Sequence, residues 1–293
     1  MSRRDRFSER RDAGLAASRY FNRRLARRHY ENFVVAGVLL PRPMRQPFYD
    51  VYAFCRTADD AADESPEPAV AGRRLGELRQ RLEATFDGHP PADTFWPALA
   101  DTIDRFGLLR QPFDDLLDAF EQDQTKTRYA NDADLREYCR RSADPVGRIV
   151  LRMAGVTDDE SVALSDRICT GLQLINFWQD VARDRRIGRV YLPQDRLAAA
   201  GVDDAALDGE TTPPELRRLI GEMVDEADEH FDASEALSRR VPRWLSRSVR
   251  LFAAGGHATA EAIRQVDHDV LRVRPVVSKR TQAWLTLRHA FRP

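Results

Sequence analysis

The chain of 293 residues has few cysteines and no long apolar run, and each shortage excludes a class of protein. Its three cysteines are odd in number and lack metal-type spacing, so we expect neither a disulfide framework nor a zinc site. The longest apolar run, residues 33–40, is far too short to span a bilayer, and the start lacks the apolar core of a signal peptide. We therefore expect a cytoplasmic protein, either soluble or peripheral at the inner face of the membrane.

An excess of positive charge is also missing. The formal net charge is −1, so there is no surplus of basic side chains to neutralise a nucleic-acid backbone, and we expect no nucleic-acid partner. Positive charge is concentrated locally, because residues 1–28 contain ten arginines against three acidic residues. Such a basic N-terminal segment is either a solvated terminus or is attracted to an anionic membrane surface.

Alternating patterns typical of strands are absent, whereas apolar residues recur at helical spacing almost throughout. The pattern predicts an all-α protein, and no proline or glycine cluster resembles an interdomain linker. We expect the basic segment 1–28 to be followed by one domain over residues 29–293.

Proline and glycine residues predict where the main helices begin and end. Pro47 suits the first turn of a helix that runs through Glu64. A second long helix is expected from Ser161 to Arg186. Between them, the Asp144-Pro145 pair predicts a kink or a helix end, and the nearby Gly147 permits close packing of helices.

Two acidic clusters stand out, Asp59-Asp60-Ala61-Ala62-Asp63 and Asn176-x-x-x-Asp180-x-x-x-Asp184. On a helix, each cluster forms one polar stripe within an arc of about 100° or less, shared with Arg56 in the first case and Gln173 in the second. Clustered carboxylates raise one another's pKa, and oxygen ligands favour a hard cation that also binds phosphates. One such pair is typical of a solvated helix face, but two pairs among apolar neighbours indicate a magnesium–diphosphate site.

Diphosphate leaves readily only when its developing charge is neutralised, and Arg56, Arg274 and Lys279 are candidate cations for this. The departure of diphosphate from an allylic or cyclopropylcarbinyl carbon leaves a carbocation, which requires apolar and aromatic walls. The candidate wall residues, each of which could equally belong to the core, are Tyr52, Phe54, Tyr138, Phe177 and Trp178.

The two clusters carry a family resemblance. Residues 52–64 resemble the first aspartate-rich motif of squalene and phytoene synthases, and residues 173–184 with 188–193 resemble the second. The resemblance implies a single all-α isoprenoid synthase domain with a central cavity between two aspartate-bearing helices. It implies that Mg2+ is bound by Asp59, Asp60, Asp63, Asn176, Asp180 and Asp184. The implied diphosphate contacts are Arg56, Gln173 and Arg274, and Tyr138 is placed near the reacting centre.

Other segments are similar to the bacterial hydroxysqualene synthases of the hopanoid pathway; they are residues 31–33, 119–120, 125–129 and 138–148. This similarity implies ionisation of presqualene diphosphate, rearrangement of the cation and capture by water to give hydroxysqualene. One position departs from the pattern, because Asp144 stands where Asn is expected before Pro145. Its carboxylate either positions the attacking water or is a neutral variation.

Two alternatives stay open on the sequence alone. The chain could condense two prenyl diphosphates head to head, as presqualene diphosphate, squalene or phytoene synthases do with farnesyl diphosphate or a longer substrate. It could also be a non-catalytic helical assembly factor, although all its acidic positions are intact. At the C-terminus, apolar and basic residues interleave in a pattern that fits either membrane contact or packing on the core. They are Trp284, Leu285, Leu287 and Phe291 with Arg280, Arg288 and Arg292.

Overall fold

The computed structural model describes residues 3–28, 39–65 and 67–291. Within these ranges the chain forms helices and one isolated bridge between Arg128 and Val190, without a strand, which confirms the all-α prediction. The chain divides into two compact units, residues 1–125 and 126–293, and each is described by itself. The expected single domain over 29–293 and its central cavity stay predictions. The segment 31–33 lies outside the described residues.

The first unit contains five helices among its described residues. They are α1 Arg3–Arg28, α2 Arg42–Asp63, α3 Pro68–Phe86, α4 Trp96–Phe106 and α5 Gln111–Gln122. The core of this unit is aromatic, and α2 contributes Phe54 to it. The ring of Phe54 meets those of Phe95, Trp96 and Phe113 edge to face at centroid distances of 6.4, 6.3 and 5.2 Å. Phe54 has no exposed surface, so it is a core residue and not the cavity wall considered above.

The C-terminal half of the basic helix α1 packs within this unit. Asn22 donates a hydrogen bond of 2.7 Å to the buried carboxylate of Asp50 on α2, which also accepts one of 2.9 Å from Thr102. Arg19 forms an ion pair with Asp101 at 2.6 Å. These contacts tie part of the basic segment to its neighbours, and the domain boundary after residue 28 stays a prediction.

Helix α2 begins earlier than expected. It starts at Arg42, and Pro43 occupies its first turn, whereas Pro47 lies inside the helix. The prediction from Pro47 was wrong because a proline one turn further in removes only a single backbone hydrogen bond, and packing of the surrounding turns outweighs that loss. The C-terminal end lies within one residue of the expected position, at Asp63, with Glu64 as the cap.

The second unit is built around one long helix. Its helices are α6 Asp132–Ser142, α7 Asp144–Met153, α8 Asp159–Gln179, α9 Val181–Arg186, α10 Gln194–Ala199, α11 Pro214–Glu229, α12 Ala233–Ser238, α13 Arg243–Gln265 and α14 Lys279–Phe291. Helix α8 contacts α6, α7, α11, α12 and α13. Asp158 caps its start by accepting a hydrogen bond from the Ser161 N–H.

The predicted break at Asp144-Pro145 is confirmed, because α6 ends at Ser142 and α7 begins at Asp144. Gly147 then allows α7 to approach α8 closely. A Cβ atom at Gly147 would lie 2.4 Å from Ser165 Oγ and 2.7 Å from Cys169 Sγ, which real contacts do not reach.

In the described ranges, no helix combines the length and the apolar character needed to cross a bilayer. The last helix, α14, buries Leu285 but leaves Trp284 and Leu287 exposed. The guanidinium of Arg288 lies 4.9 Å from the ring centroid of Trp284. The helix therefore presents apolar surface outward, while the side chains of Phe291 and Arg292 lie outside the described residues.

Candidate functional site

The first acidic cluster lies in the last turns of α2. Arg56 donates a hydrogen bond of 3.0 Å to Asp59 and also contacts Asp60, and it lies 3.7 Å from Glu64. Burial is the main cause that raises the pKa of Asp59, and the negative charge of Asp63 raises this pKa further. A single guanidinium thus faces several carboxylates, and the cluster carries an excess of negative charge.

The position of this cluster adds to that excess. Helix C-termini carry partial negative charge, and α2 has no basic residue in its last turn to offset it. The half-buried Tyr52 lies one turn before Arg56 on the same helix, and burial raises the pKa of its hydroxyl. The C-terminal end of α2 therefore favours a bound cation.

The sequence predicted that the second cluster lies on one continuous helix, and this prediction was wrong. Helix α8 ends at Gln179 and α9 begins at Val181, with Asp180 between them at φ −105° and ψ 15°. Backbone hydrogen bonding persists through the break, because the Asp180 N–H donates to the Asn176 carbonyl and the Asp180 carbonyl accepts from Arg183 and Asp184. The break thus sets the direction of the Asp180 side chain without leaving backbone groups unsatisfied.

Arg274 reaches this break from the far end of the chain. Its Nε donates to Asp180 Oδ1 at 2.5 Å and its Nη2 to Asp180 Oδ2 at 3.1 Å, a two-pronged contact. Next to it, Gln179 donates a hydrogen bond of 2.6 Å to the carbonyl of Pro275. The structure therefore places one of the predicted cations directly on the second cluster.

Burial raises the pKa of Asp184 to about 7, and the neighbouring charge of Asp180 adds to the shift. Asn176 is exposed and Gln173 is half-buried, so their amide oxygens remain accessible. The predicted cation Lys279 is the first residue of α14 and is exposed, and among the described residues it forms no ion pair with the second cluster. Only Arg274 of the two C-terminal cations is thus brought to Asp180.

The two clusters supply oxygen donors of the kind that a divalent cation prefers. In the described part of the chain, no three acidic, histidine or cysteine side chains converge as a ready-made metal site. Arginines instead neutralise part of each cluster. The donors are nevertheless carboxylate and amide oxygens, and two of the carboxylates have raised pKa values that a nearby cation would lower. The chemistry of the donors fits a hard divalent cation.

An aromatic cluster packs against the second motif, and sequence reasoning found only part of it. Phe177 on α8 stacks on Tyr191 with ring centroids 3.8 Å apart. Tyr138 lies 6.2 Å from Phe177 and 5.9 Å from Tyr191, and Tyr129 lies 5.4 Å from Tyr138. Tyr129 and Tyr191 were missed because residues so far apart meet only through the bridge between their neighbours Arg128 and Val190.

Asp144 is buried at the start of α7, where its Oδ1 accepts a hydrogen bond of 2.9 Å from Thr170. Burial raises the pKa of this carboxyl to about 7, and the charge of Asp166 acts in the same direction. Thr170 lies one turn before Gln173 on α8. The carboxyl thus has a structural partner at the junction of the two helices.

Asp144→Asn is expected to make stability less dependent on pH. Between about pH 4 and 7 the folded protein retains a proton that the unfolded chain releases, so wild-type stability falls as pH rises through this window. Asparagine cannot ionise and keeps an oxygen for Thr170. We expect the variant to exceed the wild type in unfolding free energy by about 2–4 kcal/mol at pH 8 and by little near pH 4. Urea unfolding at both values measures this, and an equal difference at the two would contradict the buried-carboxyl account.

Comparison with known proteins shows what the chain is similar to. A family model described as squalene/phytoene synthase matches residues 26–281. Presqualene diphosphate synthase from Rhodopseudomonas palustris is 32% identical over 225 residues, which are 75% of this chain and 79% of that protein. The crystal structure of squalene synthase HpnC from Alicyclobacillus acidocaldarius superposes with a TM-score of 0.82 at 39% identity and covers 87% of this chain and 96% of that one. A dehydrosqualene synthase in complex with ligand shares the fold, at a TM-score of 0.81 and 23% identity.

Proposed function

The chain belongs to the squalene/phytoene synthase family of prenyl diphosphate-processing enzymes, and we propose that within it the chain acts as a hydroxysqualene synthase. In the proposed reaction, the bond between the cyclopropylcarbinyl carbon and the diphosphate oxygen of presqualene diphosphate breaks. The cation rearranges with opening of the ring, and water adds to it and loses a proton. The products are hydroxysqualene, diphosphate and a proton.

The observation that carries this proposal is the resemblance of segments 125–129 and 138–148 to hydroxysqualene synthases. The 39% identity to squalene synthase HpnC, which extends over 96% of that chain, supports a reaction that leads to squalene, which both enzymatic candidates share. A second candidate, the head-to-head condensation of two prenyl diphosphates, is favoured by the 32% identity to presqualene diphosphate synthase. Similarity to 15-cis-phytoene synthase of Synechococcus elongatus, 29% over 271 residues, supports the same alternative.

The guanidinium groups would act on the leaving group. Arg274 holds Asp180 through two hydrogen bonds, and the same planar fork matches two oxygens of a diphosphate. Arg56 stands in a similar relation to Asp59 and Asp60. We propose that both guanidiniums contact the diphosphate, with Gln173 as an amide donor, and that Tyr52 and Lys279 belong to the substrate-binding set.

Six oxygen-bearing residues would hold the metal: Asp59, Asp60, Asp63, Asn176, Asp180 and Asp184. When bound, Mg2+ supplies positive charge that stabilises the departing diphosphate. The carboxylates would hold the positively charged ion in place, because the arginines neutralise only part of their negative charge. Asp59, Asp63, Asp180 and Asp184 are in this sense the proposed catalytic carboxylates.

The aromatic cluster offers a surface for the carbocation. The faces of aromatic rings attract cations, and a buried set of rings excludes stray water. Tyr138, Phe177 and Tyr191 are all buried, and their ring centroids lie between 3.8 and 6.2 Å apart. We propose that Tyr138 orients the diphosphate or the cation near the reacting carbon, with Phe177 and Tyr191 holding its ring in place.

The substrate distinguishes the two enzymatic candidates. Purified protein incubated with Mg2+ and presqualene diphosphate is expected to produce hydroxysqualene and release diphosphate. Incubation with farnesyl diphosphate alone is expected to leave it unconsumed. Consumption of farnesyl diphosphate without turnover of presqualene diphosphate would replace the proposal by the condensation reaction.

A binding measurement tests the enzyme assignment against a non-catalytic helical assembly factor. A non-hydrolysable prenyl diphosphate analogue with Mg2+ is expected to raise the melting temperature, because ligands that bind only the folded state stabilise it. Mg2+ or analogue alone is expected to have a smaller effect. No rise with any combination would favour the assembly factor.

We also propose a peripheral membrane contact, since the isoprenoid product is strongly apolar. The exposed Trp284 and Leu287 of α14, flanked by Arg280 and Arg288, fit the interfacial region of a bilayer. The basic stretch of residues 19–28 in α1 is a second candidate for this contact. Vesicle co-sedimentation of Trp284→Ala/Leu287→Ala beside the wild type tests the contribution of α14.

A further inference from the structure

A pocket of about 360 Å³ lies in the second unit beside α9, next to residues 207–209 at the end of a short 3-10 helix and the segment 270–274. Its lining is unusually basic, with five guanidinium groups against two carboxylates. The guanidiniums belong to Arg183, Arg185, Arg186, Arg272 and Arg274, and the carboxylates to Asp180 and Asp208. The pocket therefore has a surplus of positive charge in an otherwise nearly neutral chain.

Both carboxylates are already engaged. Asp208 accepts two hydrogen bonds of 2.7 Å from Arg185, and Asp180 accepts two from Arg274. Arg183 comes only within 3.9 Å of Asp180.

Two further guanidiniums, those of Arg186 and Arg272, form no close ion pair among the described residues, although Arg272 lies near enough to Asp269 for its charge to favour that carboxylate. Arg186 donates from Nε to the backbone carbonyl of Ala182, which carries no formal charge. In the part of the chain that the structure describes, neither Arg186 nor Arg272 forms an ion pair. Guanidiniums that line one pocket without matching carboxylates repel one another, and an anion with several oxygens relieves that repulsion.

Exposed aliphatic residues adjoin these arginines in the chain. Ile187 follows Arg186 and is 62% exposed, and Val273 lies between two pocket arginines and is 46% exposed. Val276, two residues after Arg274, is 60% exposed. A water-soluble phosphate or diphosphate makes no favourable contact with exposed apolar side chains. A phospholipid does, because its acyl chains lie beside its phosphate.

We propose that Arg183, Arg186 and Arg272 in this pocket bind the phosphate of an anionic phospholipid and so fix the second unit on a membrane surface, while Arg274 stays paired with Asp180. The guanidinium fork suits two phosphate oxygens, and each basic side chain near an anionic bilayer strengthens attachment. The site rests on the peripheral contact proposed above and gives that contact a defined head-group chemistry.

The test uses the full chain and a double substitution, Arg186→Gln/Arg272→Gln, outside the proposed substrate and metal set. Its partitioning onto phosphatidylglycerol vesicles is expected to fall by roughly 30-fold relative to the wild type at low salt. The matched control is Arg218→Gln/Arg243→Gln, which removes the same charge from two exposed positions that do not line the pocket. Binding by the pocket variant that equals binding by the control would overturn the proposal. Neutral phosphatidylcholine vesicles are expected to bind weakly and equally in all cases.

Two further arms separate the possible sources of phosphate and the possible causes of failure. Inorganic diphosphate without Mg2+ is expected to compete poorly with vesicles for the pocket. If Arg186→Gln/Arg272→Gln weakens the binding of diphosphate but leaves the binding of vesicles unchanged, the pocket is a site for a free anion and the lipid proposal is wrong. Loss of vesicle binding only in Trp284→Ala/Leu287→Ala would likewise overturn the pocket while leaving the membrane contact.

Separate measurements report on the folding of the variants and on the proposed enzymatic activity. Melting temperatures check that each variant folds, and the single substitutions, each expected to weaken binding about fivefold, replace the double if it does not fold. Turnover of detergent-dispersed presqualene diphosphate by the wild type reports on the proposed function without any membrane. A failed lipid test and a failed enzyme assignment are thus distinguishable.

Discussion

Asp180→Asn is expected to lower turnover of presqualene diphosphate by roughly 100- to 1,000-fold, the size of loss seen when one preorganised electrostatic group is removed. The substitution removes a charge from the proposed Mg2+ ligand set. It also replaces the carboxylate that holds Arg274 through two hydrogen bonds, so one change disturbs two groups that would meet the leaving diphosphate. Steady-state turnover at saturating Mg2+ measures the effect.

The fold is expected to survive this substitution, because the helix break at Asp180 is held by backbone hydrogen bonds and not by its side chain. Circular dichroism and the melting temperature check this. Asp225→Asn is the matched control, since Asp225 is exposed and pairs with Arg264 at 2.6 Å but lies outside both acidic clusters. Wild-type-like turnover in Asp180→Asn, or an equal loss in the control, would contradict the assigned role. Asp59→Asn on α2 is expected to behave like Asp180→Asn.

Phe54→Ala is expected to reduce the unfolding free energy by about 3–5 kcal/mol, as other large aromatic truncations in cores do. Phe54 is fully buried and its ring meets three other aromatic rings edge to face, so alanine would leave a cavity and lose all three contacts. Urea unfolding followed by circular dichroism measures the loss.

Phe21→Ala supplies the control for this change. Phe21 belongs to the same unit but is 40% exposed on α1, so its truncation is expected to cost less than about 1 kcal/mol. If Phe54→Ala cost no more than Phe21→Ala, the aromatic core would not be the principal support of this unit. Because Phe54 and the first acidic cluster share α2, the destabilised variant is also expected to lose turnover at temperatures where it begins to unfold.

The helical class and the arrangement of the first acidic cluster on one helix face were predictable because they depend on local spacing. Residues three and four apart lie on one face of any α-helix, and Arg56 indeed contacts Asp59 and Asp60. The break before Pro145 was likewise predictable, because the proline ring disfavours helical backbone angles at the preceding residue in any structural context.

The details that failed are the positions at which helices begin and break. Pro47 was expected to start a helix, yet the neighbouring turns sustain α2 through it. Asp180 was expected within a continuous helix, but the chain bends there. No local rule favours a bend between Gln179 and Val181.

By itself, then, the sequence determined the all-α class, the polar stripe at the end of α2 and the family resemblance of both acidic clusters, because periodicity and motif spacing depend on residues close together in the chain. Only the tertiary structure decided which distant groups meet: Arg274 with Asp180 across 94 positions, Tyr129 with Tyr191 beside an isolated bridge, and Phe54 in the core. The physical reason is that such contacts form when helices pack. Packing energy depends on the joint shape and charge of surfaces that no single segment contains.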